Sequence, residues 1–270
     1  MSLKEQLNPR TYKEHIKQHK AVFAVYILLR TLVIGAMVTS CIRGYYENVF
    51  YCGLALFLFL LPAFFEKNLG IGIPNVLEIL ILLFIFAAII MGEMNSFYTK
   101  IPIWDTVLHT INGFLCAAVG FGMVDILNRN ERIKFSMSPI FMAVVAFCFS
   151  MTIGVLWEFF EFGCDMFFGT DMQKDFVVNS INSTLLSGDT KEVMAIKEIE
   201  EVTVNGNLLN TSGYIDVGLY DTMKDLLVNF IGALVFSVIG YIYIKTRGRN
   251  KIAGHFIPTL LNGKDDTSEE

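Results

Sequence analysis

Six long apolar runs decide what this chain can fold into. They cover residues 21–42, 49–65, 76–92, 106–127, 139–163 and 221–244. A helix needs about 20 mostly apolar residues to cross a bilayer. The second and third runs are short but nearly pure, as in LALFLFLLPAFF and ILILLFIFAAIIM. A soluble core can hide one such helix, but not six in 270 residues. Composition agrees: 54 % of residues are hydrophobic and 17 % charged, against about 25 % charged in soluble domains. Mean hydropathy is +0.53. With 24 Phe and 6 Pro the chain is neither disordered nor collagen-like. A net charge of −5, with no Lys/Arg stripe among aromatics, argues against nucleic acid as a partner.

Basic residues set the expected orientation, because Lys and Arg concentrate in cytoplasmic segments. Lys4, Arg10, Lys13, Lys17, Lys20, Lys67, Arg129, Arg132, Lys134, Lys245, Arg247, Arg249, Lys251 and Lys264 fall on one side. Arg43, Lys100, Lys174, Lys191 and Lys197 fall on the other. Fourteen against five puts both termini in the cytoplasm, and six spans agree with that parity. Segments 43–48, 93–104 and about 166–220 then face outward. The expected fold is an all-α membrane protein of six transmembrane helices, read as a single domain over 1–270. Residues 1–20 form a polar, helical cytoplasmic arm and 245–270 a cytoplasmic tail. Val38-Thr39-Ser40-Cys41 resembles a lipoprotein cleavage box, but Arg30 interrupts its apolar run, so no cleaved signal is expected.

Local signals fill in the connections. Asn75 and Glu78 have capping-box spacing at the start of the third span. Thr170-Asp171 can cap a helix over roughly 172–186. Residues 198–204 precede Asn205-Gly206, a strong hairpin signal. The outward segment between the fifth and sixth spans therefore reads as a small helix plus a β-hairpin. Cys41 and Cys52 flank the first outer turn almost symmetrically; a disulfide is geometrically allowed, and simple packing of two small apolar residues is the alternative. No C-x-x-C spacing marks a zinc ribbon or redox pair.

Three polar stripes interrupt this apolar chain. Asp105 and His109 stand i, i+4 at the start of the fourth span, followed by Asn112. Glu158, Glu161 and Asp165 stand i, i+3, i+7 at the end of the fifth. Asp221, Asp225 and Asn229 stand i, i+4, i+8 at the start of the sixth. Each set shares one helix face. All three stripes lie at the outward ends of their helices, so six carboxylates and one imidazole meet at comparable depth. A charge at the bilayer centre costs about 2.5–3.5 kcal/mol on insertion scales, and Lys224 is the only nearby base. Protons, water or bound cations must balance the excess. Asp105 and Asp221 sit where N-caps sit, which explains either one alone. Glu158 and Glu161 sit near a helix C-terminus, where the dipole disfavours anions, so capping does not explain them. Gly113, Ala117, Gly120, Gly154 and Gly232 read as close-packing positions between helices.

Carboxylates with one imidazole fit a divalent metal, with Zn, Mn, Mg and Fe not distinguishable. Asp105, His109, Glu158, Glu161, Asp221 and Asp225 are the candidate ligands. Glu158, Glu161 and Asp225 are the candidate catalytic groups, and Asn112, Asn229, Lys224 and Asp165 would support them or meet substrate. There is no H-E-x-x-H, nucleophile elbow or P-loop.

The runs WDTVLHTINGF, LWEFFEFGCDMFFGTDMQ and GYIDVGLYDTMKDLLVNFIGA resemble the YjdF-type bacterial membrane proteins over about 95–245. More distantly, D-x3-H, a Glu pair and D-x3-D-x3-N-x2-G are similar to VanZ-like proteins, which are linked with glycopeptide resistance and the cell envelope. The long outward segment departs from that smaller pattern. The resemblance implies a multi-pass protein of the bacterial cytoplasmic membrane, and supplies no reaction. Three readings stay open. The first is a metal-dependent hydrolase or transferase acting on a lipid or lipid-linked envelope substrate. The second is a cation or small-solute transporter, and the third a non-catalytic binding or resistance factor.

Overall fold

The computed structural model describes residues 20–69, 71–128, 137–246 and 254–260. The arm expected over 1–20 falls almost wholly outside these residues, as do the basic residues Arg129, Arg132 and Lys134. Six helices are long and apolar enough to cross a membrane: Lys20–Arg43, Tyr46–Asn68, Asn75–Met94, Trp104–Asn128, Pro139–Phe168 and Leu219–Lys245. All six expected spans are present, each somewhat longer than its apolar run.

The elements run as α1 (Lys20–Arg43), α2 (Tyr46–Leu58), α3 (Leu61–Leu69), β1 (Ile71–Gly72), α4 (Asn75–Ile85), a π-helix (Phe86–Met94), α5 (Phe97–Lys100), α6 (Trp104–Asn128) and α7 (Pro139–Phe168). Then follow β2 (Val177–Val178), β3 (Ile181–Ser183), a 3-10 helix (Thr184–Thr190), β4 (Met194–Ile196), β5 (Thr203–Val204), β6 (Asn207–Leu208), β7 (Tyr214–Ile215), α8 (Leu219–Lys245) and β8 (Thr259–Leu260). The second span breaks between α2 and α3. Pro62 has no N–H to continue the ladder, and Leu60 N–H bonds Phe57 O in a tighter turn. The third span ends as a π-helix whose last turn is held by Asn95, which donates from Nδ2 to Ile90 O at 2.6 Å.

The chain packs as two compact units. The first holds Met1–Thr152 and Val228–Glu270, the second Ile153–Leu227. In the first, one core cluster joins Leu77, Leu115, Phe121, Met142, Phe236 and Ile257. A second joins Leu29, Val33, Cys52, Phe59, Leu82 and Ile89. Small residues allow the close approach of α6 to α8. A Cβ on Gly113 would collide with Asn229 O, and one on Gly232 with Thr110 O. Ser150 Oγ donates to Gly113 O at 2.7 Å from α7. Gly113, Gly120 and Gly232 thus fill the packing role expected of them, and Ala117 is fully buried.

Part of the tail returns to this core. Ile257 is 1 % exposed, and Phe256 meets Phe114 edge-on at 5.4 Å. Pro258 occupies the space beside Gly122, and β8 pairs antiparallel with β1. A polar tail gave no sign of this; the signal lay in the short apolar run Phe256-Ile257-Pro258.

In the second unit the connecting segment is built of small antiparallel pairs: β2 with β7, β3 with β4, and β5 with β6. The hairpin at Asn205-Gly206 forms as expected. Both residues have positive φ, 52° and 82°, as a two-residue turn between twisted strands requires. The helix expected over 172–186 does not form. Asp165 takes the amides of Met172 and Gln173, and Val177-Val178 pair with Tyr214-Ile215. Side-chain acceptors and a distant strand thus claim the backbone groups a helix would need. At the third span Pro74, not Asn75, takes the N-cap position, with no side-chain cap bond of its own. All five cysteines are free; Cys41 is exposed and Cys52 buried.

Candidate metal centre

Each polar stripe keeps its helical face, but the helix ends differ from the expectation. α6 begins at Trp104, so Asp105 stands in its first turn rather than at its cap. α8 begins at Leu219, so Asp221 also lies within the helix. α7 runs to Phe168. Glu158 is therefore about 15 Å from its C-terminus at 1.5 Å per residue, too deep for the terminal dipole to matter. Asp165 occupies the last turn instead.

In the first unit, His109 Nε2 lies 3.4 Å from Asp105 Oδ1, with His109 only 8 % exposed. One turn deeper, Asn112 Nδ2 donates to Asn229 Oδ1 at 3.3 Å, and Asn229 Nδ2 approaches Met151 Sδ. These amides sit directly behind the Asp–His pair along α6.

In the second unit, Glu158 and Asp225 are 4 % and 1 % exposed. Trp157 Nε1 donates to Glu161 Oε1 at 2.8 Å, one turn along the same helix. Lys224 Nζ lies 3.4 Å from Asp221 Oδ1 and 3.8 Å from Asp225 Oδ1, and 5.6 Å above the Phe176 ring. Asp221 also accepts from the Lys174 amide at 2.8 Å. Asp165 accepts from Thr170 Oγ1, Met172 N and Gln173 N at 2.7–2.8 Å. Asp216 accepts from the amides of Phe176, Gly218 and Tyr220. Outside the spans, burial and the neighbouring Asp171, Asp216 and Asp165 push the Asp175 carboxyl above its ordinary value.

Among the described residues, two groups of side chains have the make-up of a metal site: Asp105, His109 and Asp225, and His109, Glu158 and Glu161. Asp221 and Asp165 belong to neither group. The indole of Trp157 and the amide of Lys174 escaped the sequence reading. Trp157 could have been found by its i, i+4 spacing to Glu161; the Lys174 contact depends on how the connecting segment folds.

A family model described as a predicted membrane protein (DUF2238) matches residues 25–246. The chain belongs to the DUF2238 family. That agrees with the resemblance to a membrane family with no assigned reaction. An uncharacterized protein of Thermotoga maritima is 29 % identical over 104 residues, covering 38 % of this chain and 52 % of the relative. The chain thus spans about half the length of that curated relative. No solved structure matches significantly.

Proposed function

We propose that this DUF2238 protein is a metal-dependent hydrolase or transferase of the bacterial cytoplasmic membrane. Its substrate would be a lipid or lipid-linked component of the cell envelope. The observation that carries the reading is His109, one imidazole that is a candidate metal ligand in company with carboxylates of three apolar helices. Asp105, His109, Glu158 and Asp225 would hold a divalent ion. The ion would polarise a phosphoryl or acyl oxygen or lower the pKa of a bound water. Glu161 would serve as general base, its carboxylate oriented by Trp157. Lys224 would offset the excess negative charge beside Asp225.

The lipid substrate follows from the surroundings of the α7 carboxylates. Trp157, Phe159, Phe160 and Phe162 are 44–66 % exposed around Glu158 and Glu161, so the flanking helix surface is one that acyl chains wet. The distribution of basic residues supports an outward position for this end. Against transport, α6 and α8 beyond Asn112 and Asn229 pack through Leu115, Ala117, Phe121, Ala233 and Phe236, all buried. An apolar plug of that kind suits a one-sided centre better than a hydrated path.

The test is metal analysis by mass spectrometry on chelator-free protein in detergent, beside the Glu158→Gln/Glu161→Gln double variant. Stoichiometric metal that disappears in the variant is the expected result. For Mg, which is lost easily, each candidate ion is added back and thermal stability followed. If no ion binds or stabilises the wild type under any condition, the reading falls.

A further inference from the structure

The first span carries one charge deep in its length. Arg30 stands about 15 Å beyond Lys20 at 1.5 Å per residue, and the apolar core of a bilayer is about 30 Å thick. No Asp or Glu occurs anywhere in α1. An ionised side chain at that depth is costly and calls for an opposite charge. Among the described residues no carboxylate forms an ion pair with Arg30. Its Nε–H is buried and meets no hydrogen-bond acceptor.

An aromatic face holds the group instead. The guanidinium carbon lies 4.1 Å over the Tyr26 ring, one turn nearer the Lys20 end. Helical side chains lean towards the N-terminus, and long basic ones reach for the bilayer surface. Tyr26 fixes that direction. A ring face compensates part of the charge, but it takes none of the N–H bonds that lie in the guanidinium plane. That planar fork matches a carboxylate or a phosphate.

The neighbours on α1 show which surface the fork borders. Val22, Leu29 and Val33 are buried on one side of Arg30. Phe23, Ile27 and Ile34 share its other side at i−7, i−3 and i+4, and are 43–48 % exposed. Arg30 itself is part-exposed. The guanidinium thus stands at the seam between the packed face of α1 and a stripe that acyl chains would cover.

We propose that Arg30 and Tyr26 form a site for the phosphate of a membrane phospholipid, in the leaflet at the Lys20 end of α1. The fork takes the phosphate oxygens, and the lipid's chains run over Phe23, Ile27 and Ile34. Free phosphate offers the same oxygens, but it would have to leave water to lie beside apolar side chains. A lipid brings its phosphate attached to chains that this surface favours. The phosphate is drawn below the usual headgroup level while the arginine reaches up to it. This site uses none of the candidate metal ligands and stands whether or not an ion binds them.

Native mass spectrometry of the full-length protein in a neutral maltoside detergent measures its affinity for phosphatidylglycerol. Inorganic phosphate and a diacylglycerol of the same chain length are titrated in parallel. The wild type should hold one phosphatidylglycerol more tightly than any further copy, and both controls at least tenfold more weakly. Arg30→Gln should weaken that first lipid at least tenfold. Arg30→Lys, which keeps the charge and loses the fork, should weaken it several-fold, so the question is decided even if Arg30→Gln misfolds. Tyr26→Leu should weaken it too, and Tyr26→Phe, which keeps the ring face, should not. Wild-type affinity in Arg30→Gln or Arg30→Lys overturns the proposal. So does inorganic phosphate binding as well as the lipid, which makes the ligand a free anion, or diacylglycerol doing so, which leaves the chains as all that is held.

Discussion

Two sets of acids stand near the same ends of α7 and α8, and they are employed differently. Asp165, Asp216 and Asp221 accept from backbone amides of the connecting segment. Glu158, Glu161, Asp105 and Asp225 are, with His109, candidate metal ligands. Amide-bound carboxylates are satisfied by neutral dipoles and can stay ionised without a cation. Carboxylates that crowd one another need positive charge or protons. The first set fastens a loop, and the second is where an ion would stabilise the fold.

The largest effect that would break this contrast is on metal-linked stability. A divalent ion at 100 times its Kd should stabilise the wild type by about 2.7 kcal/mol. The shift in thermal midpoint should vanish in Glu158→Gln/Glu161→Gln and persist in Asp165→Asn. Loss of the shift in Asp165→Asn would merge the two sets. Next in size, Asp165→Ala removes three hydrogen bonds to a charged acceptor. It should loosen residues 170–176 by about 2–3 kcal/mol, read as faster amide exchange at Met172 and Gln173, with metal binding unchanged.

Smaller still is Trp157→Phe, which keeps the ring but loses the donor to Glu161. Metal affinity or turnover should fall roughly tenfold, in line with supporting hydrogen bonds at other metal sites, while Trp157→Leu should do no worse for Glu161 itself. The smallest effect concerns Asp175, whose ionised form is disfavoured in the folded state. Asp175→Asn should stabilise the connecting segment at neutral pH by about 0.5 kcal/mol or less, because the residue is exposed. The sign is opposite to that of a salt-bridged acid. The gain shrinks as pH falls through the raised value and is gone below the unfolded value of about 3.9, which a urea melt at two pH values would reveal.

The spans were legible because bilayer thickness imposes a length that apolar runs report directly. The Asn205-Gly206 turn was legible because its chemistry is local. The absent helix at 172–186 was not, since its fate depends on Asp165 and on strand β7 some 40 residues away. Within the site, i, i+4 spacing grouped Asp105 with His109 and Asp221 with Asp225. It could not separate the last two, because Asp221 bonds the amide of Lys174, a contact made only after the connecting segment folds back. The π-helix left no pattern in the sequence: 86–94 is as apolar as any α-helical run.

The docking of Ile257 beside Leu77 in one core also has a meaning in time. These residues are 180 positions apart, and chains are synthesised at about 5–20 residues per second. The third span therefore waits about 10–40 seconds for its last neighbour. Until the ribosome has passed Ile257, the seam that this residue closes stays open to whatever guides the nascent helices into the membrane.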